Sequence, residues 1–150
     1  MLKRVNELPT DKRIAGIHSI PLLEDGSIVM VWDRNEQALT TVGGRIEPGE
    51  SIDEALDRET VEEAGLLLMP ERIPVACWYW TETDTYTVFV VAKVHSFVPM
   101  PEGFETTGRV TFNFETAKQV VNRLEGHGQR ILILNYAEEA ASQLFTTENP

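Results

Sequence analysis

Apolar positions recur along this chain in two rhythms, every second residue and every third or fourth, and the changes between them predict its elements. Residues 1–13 are polar, with Pro9, and read as an N-terminal arm. Ile14 to Leu23 is apolar and β-branched. It runs through the hairpin-type turn Glu24-Asp25-Gly26 into Ser27 to Trp32, which predicts two antiparallel strands. Asp33-Arg34-Asn35-Glu36 is a polar loop, and Ala38 to Val42 leads into a loop at Gly43-Gly44. Leu66 to Met69 with Pro70 reads as a connection. Ile73 to Glu82 and Thr85 to Phe97, crowded with Val, Tyr, Trp, Phe and Thr, are the strongest strand signals, parted by a turn at Thr83-Asp84. In the second, Val88, Val90, Ala92 and Val94 alternate with Phe89 and Val91, so the centre of the sheet is covered on both faces. Pro99 to Gly103 is a loop, and Val110 to Phe114 a short further strand.

Three stretches follow the helical rhythm. Ala117, Val120, Val121 and Leu124 mark a helix over residues 115–124, ended by Gly126-His127-Gly128. Leu134, Ala137, Ala141, Leu144 and Phe145 mark another over 130–145, before a tail from Thr146 to Pro150 expected to fray. The third is the most fully specified. Pro48-Gly49 makes a turn, Ser51 and Glu54 form a capping box, Asp53 and Glu54 place negative charge at the positive end of the helix dipole, and Gly65 supplies the left-handed stop. The helix therefore spans Ile52 to Ala64. Strands, one helix, more strands and then helices predict an α/β/α sandwich around a mixed sheet, one domain over residues 1–150.

On that first helix, Ile52, Ala55, Leu56, Glu59 and Glu63 share one face, with Glu62 at its edge, so carboxylates continue an apolar stripe. Like charges about 5 Å apart repel by roughly 3 kcal/mol at an effective dielectric of about 20, and Arg58 is the local cation. Converging carboxylates of this kind hold hard divalent cations; the alternative is a solvated acidic face.

The pattern Gly44, five residues, Glu50, seven residues, Arg58-Glu59, two residues, Glu62-Glu63, one residue, Gly65-Leu66 resembles the Nudix box. Two positions depart from the family: Thr60 stands in an aliphatic slot, and Val42 stands where many relatives have proline. The Thr60 hydroxyl can bond back to the Leu56 carbonyl, at a small cost in stability. The resemblance implies a Nudix-type α/β/α sandwich and a metal-dependent pyrophosphohydrolase that cuts a phosphoanhydride in a nucleoside diphosphate-linked substrate. It implies Mg2+ as cofactor, with Mn2+ as substitute. By the same resemblance Glu59 and Glu63 are the foremost metal ligands, Glu62 a further one, and the Gly43 carbonyl another. Arg58 orients a glutamate, Glu50 supports that network, and Gly44 and Gly65 shape the backbone. A general base is implied outside the box, where Glu102 and Glu105 are candidates and Glu105 is favoured.

Trp78 and Trp80 point to one side of their strand and Tyr79 to the other, so a tryptophan can stack on a nucleobase or pack in the core. Trp32 carries the same two readings. His18, His95 and His127 show no ligand spacing and read as surface or satisfied core residues. Cys77, the single cysteine, lies among apolar neighbours and reads as a small buried residue in a reducing compartment. There is no apolar run of membrane-spanning length and no apolar signal core at the N-terminus, so a cytoplasmic protein is expected.

Thirteen basic against 24 acidic residues give a net charge of −11, and no segment is rich in Lys or Arg. This excludes a general nucleic-acid polymer binder but not a nucleotide, whose phosphates a divalent cation can neutralise locally. Nucleoside triphosphates or modified nucleotides are the favoured substrates, and a homodimer is compatible with the chain. Two other readings compete. A non-catalytic nucleotide-sensing module on the same fold is argued against by the intact box glutamates. An isoprenyl diphosphate isomerase is argued against by the chain length and the buried setting of Cys77.

Overall fold

In the computed structural model, which describes residues 1–104 and 106–146, the described residues form eight strands in one mixed sheet and three helices. β1 (Leu2–Arg4), β2 (Arg13–Leu22), β3 (Ile28–Asp33), β4 (Ala38–Thr40) and β5 (Val42–Arg45) precede α1 (Ile52–Ala64). β6 (Leu66–Trp80), β7 (Thr85–Phe97) and β8 (Thr106–Phe112) follow, then α2 (Phe114–Glu125) and α3 (Gln129–Thr146). The sheet order is β1-β6-β7-β2-β3-β4, with β5 also on β2 and β8 also on β3. Thus β2 is parallel to β7 and antiparallel to β5.

The alternation in β7 divides the core. Val88, Val90 and Ala92 pack with Ala55, Leu56 and Ala64 of α1 on one face. Val91 and Phe89 pack on the other with Ala117 and Val121 of α2 and Leu134, Ala137 and Leu144 of α3. The α/β/α layering follows from those two apolar faces. Cys77 is buried in the α1-side core. Trp32 packs against the α2 and α3 side.

Several local expectations change once long-range pairing is present. Gly43 and Gly44 lie in β5, a strand and not a loop, because they pair with His18 and Ile17 of β2. The connection expected at Leu66 to Pro70 belongs to β6, whose register shifts between Leu68 and Arg72, so Pro70 sits at an irregularity where a missing N–H is tolerated. β8 starts earlier than Val110 and stops at Phe112, since Asn113 caps α2 by accepting from the Thr116 amide at 2.7 Å. Leu124 is 50% exposed, so the apolar stripe of α2 ends before its last turn. Within the N-terminal arm, Leu2–Arg4 form an edge strand on β6. Residues 147–150 of the expected fraying tail lie outside the described residues. No helix among the described residues is long and apolar enough to cross a membrane.

Candidate active site

Both ends of α1 are pinned. Ser51 Oγ accepts from the Glu54 amide at 3.1 Å, and Glu54 Oε1 accepts from the Ser51 amide at 3.0 Å. At the other end Gly65 takes φ 59° and ψ 52°, and a Cβ there would lie 2.6 Å from the Val98 carbonyl oxygen, so conformation and space both require glycine. The last turn of α1 has no basic residue of its own. Arg109 of β8 supplies one, with Nη1 donating to the carbonyls of Ala64 at 2.7 Å and Gly65 at 2.9 Å. Thr106 Oγ1 donates to the Glu63 carbonyl at 2.5 Å. The turn that carries Glu59, Glu62 and Glu63 is therefore fixed in place.

Arg58 organises the carboxylates. Its Nε and Nη2 grip Glu50 at 2.7 and 2.9 Å, and its Nη1 donates to Glu59 at 2.9 Å and to Glu62 at 3.2 Å. Nη2 also donates to the Arg45 carbonyl at 3.0 Å, tying α1 to β5. The fork from Arg58 holds the Glu50 carboxyl down at about 2, and Glu50 in turn is the main reason the Arg58 pKa is raised. Glu59 moves the other way: burial pushes its carboxyl up against the pull of Arg58, with only 14% of the side chain exposed.

Two of these carboxylates reach β5 directly. Glu63 Oε1 accepts from the Gly43 amide at 2.7 Å. The Glu59 carboxylate lies against Gly44, where a Cβ would stand 2.7 Å from its carboxyl carbon. Glycine at position 44 thus makes the room that Glu59 occupies. Among the described residues no three His, Cys, Asp or Glu side chains are gathered into a group that could hold a metal ion. Arg58 Nη1 lies between Glu59 and Glu62, within hydrogen-bond distance of both.

Thr60 is fully buried, and its Oγ1 donates to the Asp57 carbonyl at 3.1 Å, one residue on from the Leu56 carbonyl expected from the sequence. The hydroxyl is satisfied within its own helix, so Thr60→Val is expected to change stability by less than about 1 kcal/mol, as read from thermal melting.

A cleft of about 740 Å³ opens over the β5 side of the sheet. Gly43, Gly44, Glu63, Trp78, Trp80 and His18 all line it, so the metal-ligand candidate Glu63 meets the candidate substrate-binding residues there. Glu59 and Glu62 remain on the Arg58 side. Trp78 and Trp80 meet edge to face at 5.9 Å, while Tyr79 packs on Tyr86 across the strand. Trp80 is 45% exposed, yet its Nε1 donates to Thr87 Oγ1 at 2.9 Å, so its ring is both presented and fixed. Arg130 and Glu125, an ion pair across the α2–α3 turn, also line the cleft. Glu102 is exposed in the loop before β8, and Glu105 lies outside the described residues.

His18 differs from the surface or core role expected of it. Its ring lies in the lining of the cleft, with Nδ1 2.9 Å from Thr41 Oγ1 and the ring 5.4 Å from Phe89. Burial is the chief cause that lowers its pKa to about 4, with Arg130 adding in the same direction. The unfolded histidine titrates near 6.5, so the stability tied to this neutral ring is complete above that pH and is lost as pH falls to about 4. At pH 5 the loss is on the order of 1–2 kcal/mol, and His18→Gln should remove that part of the slope in urea unfolding between pH 7 and 5. His95 and His127 are exposed, as expected. Arg13, Arg45 and Arg130 also line this region and were not singled out in the sequence. Their signal is spatial, since they come from three separate elements.

A family model for the NUDIX domain matches residues 12–132. Similar solved structures include a NUDIX hydrolase from Nitrosomonas europaea, 20% identical with a TM-score of 0.66, over 87% of this chain and 90% of that one. A pyrophosphohydrolase from Bacillus subtilis is 19% identical with a TM-score of 0.62, over 74% of this chain and 70% of that one. An ADP compounds hydrolase is 18% identical with a TM-score of 0.64, over 91% and 76%. At these identities the likeness is one of fold. No curated protein matches the chain.

Proposed function

We propose, starting from the fact that this chain belongs to the Nudix family and so is a hydrolase of phosphoanhydrides, that it is a metal-dependent pyrophosphohydrolase of a nucleoside diphosphate-linked substrate. The observation that carries this reading is the approach of two α1 carboxylates to one glycine pair, Glu63 on the Gly43 amide and Glu59 against Gly44. The donors present are all hard oxygens, and Glu50, Glu59 and Glu62 share the one guanidinium of Arg58, so negative charge is in excess there and the residues fit a hard divalent cation. Glu59, Glu62 and Glu63 would hold it, with the Gly43 carbonyl beside them, and Mg2+ or Mn2+ is the ion of choice. When bound, it would neutralise phosphate charge and make a water a stronger nucleophile.

The chain's own residues supply the rest. Gly43 and Gly44 let a phosphate come close to β5. Arg58, anchored on Glu50, holds Glu59 and Glu62 in orientation and acts as a positioning residue. Trp80, flanked by Trp78, offers a fixed ring for a nucleobase. Stacking on an aromatic ring is typically worth about 1–3 kcal/mol, so Trp80→Ala should raise KM by about tenfold with kcat little changed. Glu105 is the general base of this reading, supported by its place in sequence next to Thr106, which is bonded to the Glu63 carbonyl. Glu105→Gln should lower kcat by about 10²–10⁴-fold, and a loss under about threefold would remove it from the role.

The test of this reading is product release from nucleoside triphosphates, oxidised nucleotides, ADP-ribose, dinucleoside polyphosphates and nucleotide sugars, with Mg2+, with Mn2+ and with chelator. Metal-dependent turnover of one member is the expected result. Tight binding of a member with no turnover of any would instead support a nucleotide-sensing module.

A further inference from the structure

A second cleft, of about 530 Å³, adjoins the first and shares His18, Gly44, Arg45, Trp80 and Thr87 with it. Its lining adds Arg13, at the start of β2, to Arg45, at the end of β5. Neither guanidinium has a hydrogen bond or an acidic partner among the described residues, although the chain carries 24 acidic residues against 13 basic ones. Arg4, Arg72 and Arg130 each pair with carboxylates, on Glu139, on Asp53 and Asp57, and on Glu125 respectively, whereas Arg13 and Arg45 are brought together on one concave surface without such a partner among the described residues. Here two arginines face the single acid of the lining, Glu82. In so acidic a protein, two unneutralised guanidinium groups on one concave surface are an anion site, and their planar donor geometry matches phosphate oxygens.

The position of this cleft says which part of the substrate it takes. Gly44 and Arg45 border both clefts, and the first cleft also contains Glu63. A phosphoanhydride lying along β5 at Gly44 therefore has one end directed to Trp78 and Phe89 and the other to Arg13. Trp80 stands in the lining of both and is anchored by Thr87, so the two ends part around a fixed ring.

The geometry points to a second phosphate site formed by Arg13 and Arg45, which makes the substrate class a phosphoanhydride whose far end carries a further phosphate group. This rests on the hydrolase reading above for its orientation, but its binding step does not require turnover. The further phosphate can be a monoester on the far sugar or a continuation of the polyphosphate chain.

Calorimetry with inorganic phosphate and pyrophosphate, in the presence of chelator, measures the site without metal and without hydrolysis. The wild-type chain should bind pyrophosphate saturably. Arg13→Ala combined with Arg45→Ala should weaken that binding by at least about tenfold, while the double Lys variant should retain most of it. Both side chains are exposed, so melting temperatures should stay unchanged. No saturable binding to the wild type, or equal binding by the double Ala variant, would overturn the assignment. Affinities for matched pairs under the same conditions then separate the sources. Tighter binding of NADPH than NADH, lost in Arg13→Ala, assigns a monoester; tighter binding of diadenosine tetraphosphate than triphosphate, lost likewise, assigns a longer chain. Equal affinities within both pairs would also overturn it. Absence of turnover in the substrate panel would count against the hydrolase reading and leave these binding results to stand or fall by themselves.

Discussion

Glu63→Gln is expected to lower kcat by about 10³-fold while leaving the fold intact. The glutamine oxygen can still accept from the Gly43 amide, the contact Glu63 makes at 2.7 Å, so β5 and α1 stay joined. What is lost is negative charge beside the glycine pair, and with it one of the donors that a hard cation needs. Catalysis by a bound metal falls steeply with such a loss, whereas the melting temperature should move by no more than about 2–4 °C, the equivalent of about 1 kcal/mol in a chain of this length. A matched pair of measurements, single-turnover hydrolysis and thermal melting, checks both halves. A large drop in melting temperature would mean that the side chain is structural instead.

Arg58→Ala is expected to damage stability and activity together. The guanidinium touches Glu50, Glu59 and Glu62 at once, and its side chain is 24% exposed, so removing it leaves three half-buried carboxylates facing one another. Breaking one side of a fully buried ion pair typically costs about 3–5 kcal/mol, and partial exposure here reduces that to about 2–4 kcal/mol. That is a fall of roughly 5–15 °C in melting temperature. The same logic gives a diagnostic sign for metal. A cation that occupies the place of Nη1 restores the missing charge, so Mg2+ or Mn2+ should raise the melting temperature of Arg58→Ala more than that of the wild type. Arg58→Lys should fall between the two, because it keeps a charge but cannot grip Glu50 with two parallel bonds. Equal metal shifts in wild type and variant would show that Arg58 and the cation do not share a role.

What the sequence disclosed and what it withheld follow the range of the interactions involved. α1 was legible to its ends because Ser51, Glu54 and Gly65 act on neighbours within four residues. The facing of Val88 and Val91 was legible for the same reason. β5 was not, since Gly43 and Gly44 become strand only by pairing with Ile17 and His18. Nor was the long course of β6, in which Pro70 looks like a break and is absorbed by a register shift against β7. The box glutamates announced a charge problem and the resemblance named Arg58 as an orienter supported by Glu50, but its simultaneous reach to Glu59 and Glu62 emerges only from the distances. His18 read as an ordinary histidine until β2, β5 and β7 met around it, and Arg13 and Arg45, 32 residues apart in sequence, share a cleft only through the sheet.

The measurement that bears most directly on the central claim is the binding of Mn2+ by electron paramagnetic resonance, with the wild-type chain and with Glu59→Gln combined with Glu63→Gln. Saturable binding to the wild type, weakened at least about tenfold in the variant, is the result expected if α1 holds the catalytic cation at the Gly43–Gly44 strand. Equal Mn2+ binding by both proteins, or none by the wild type, would contradict it.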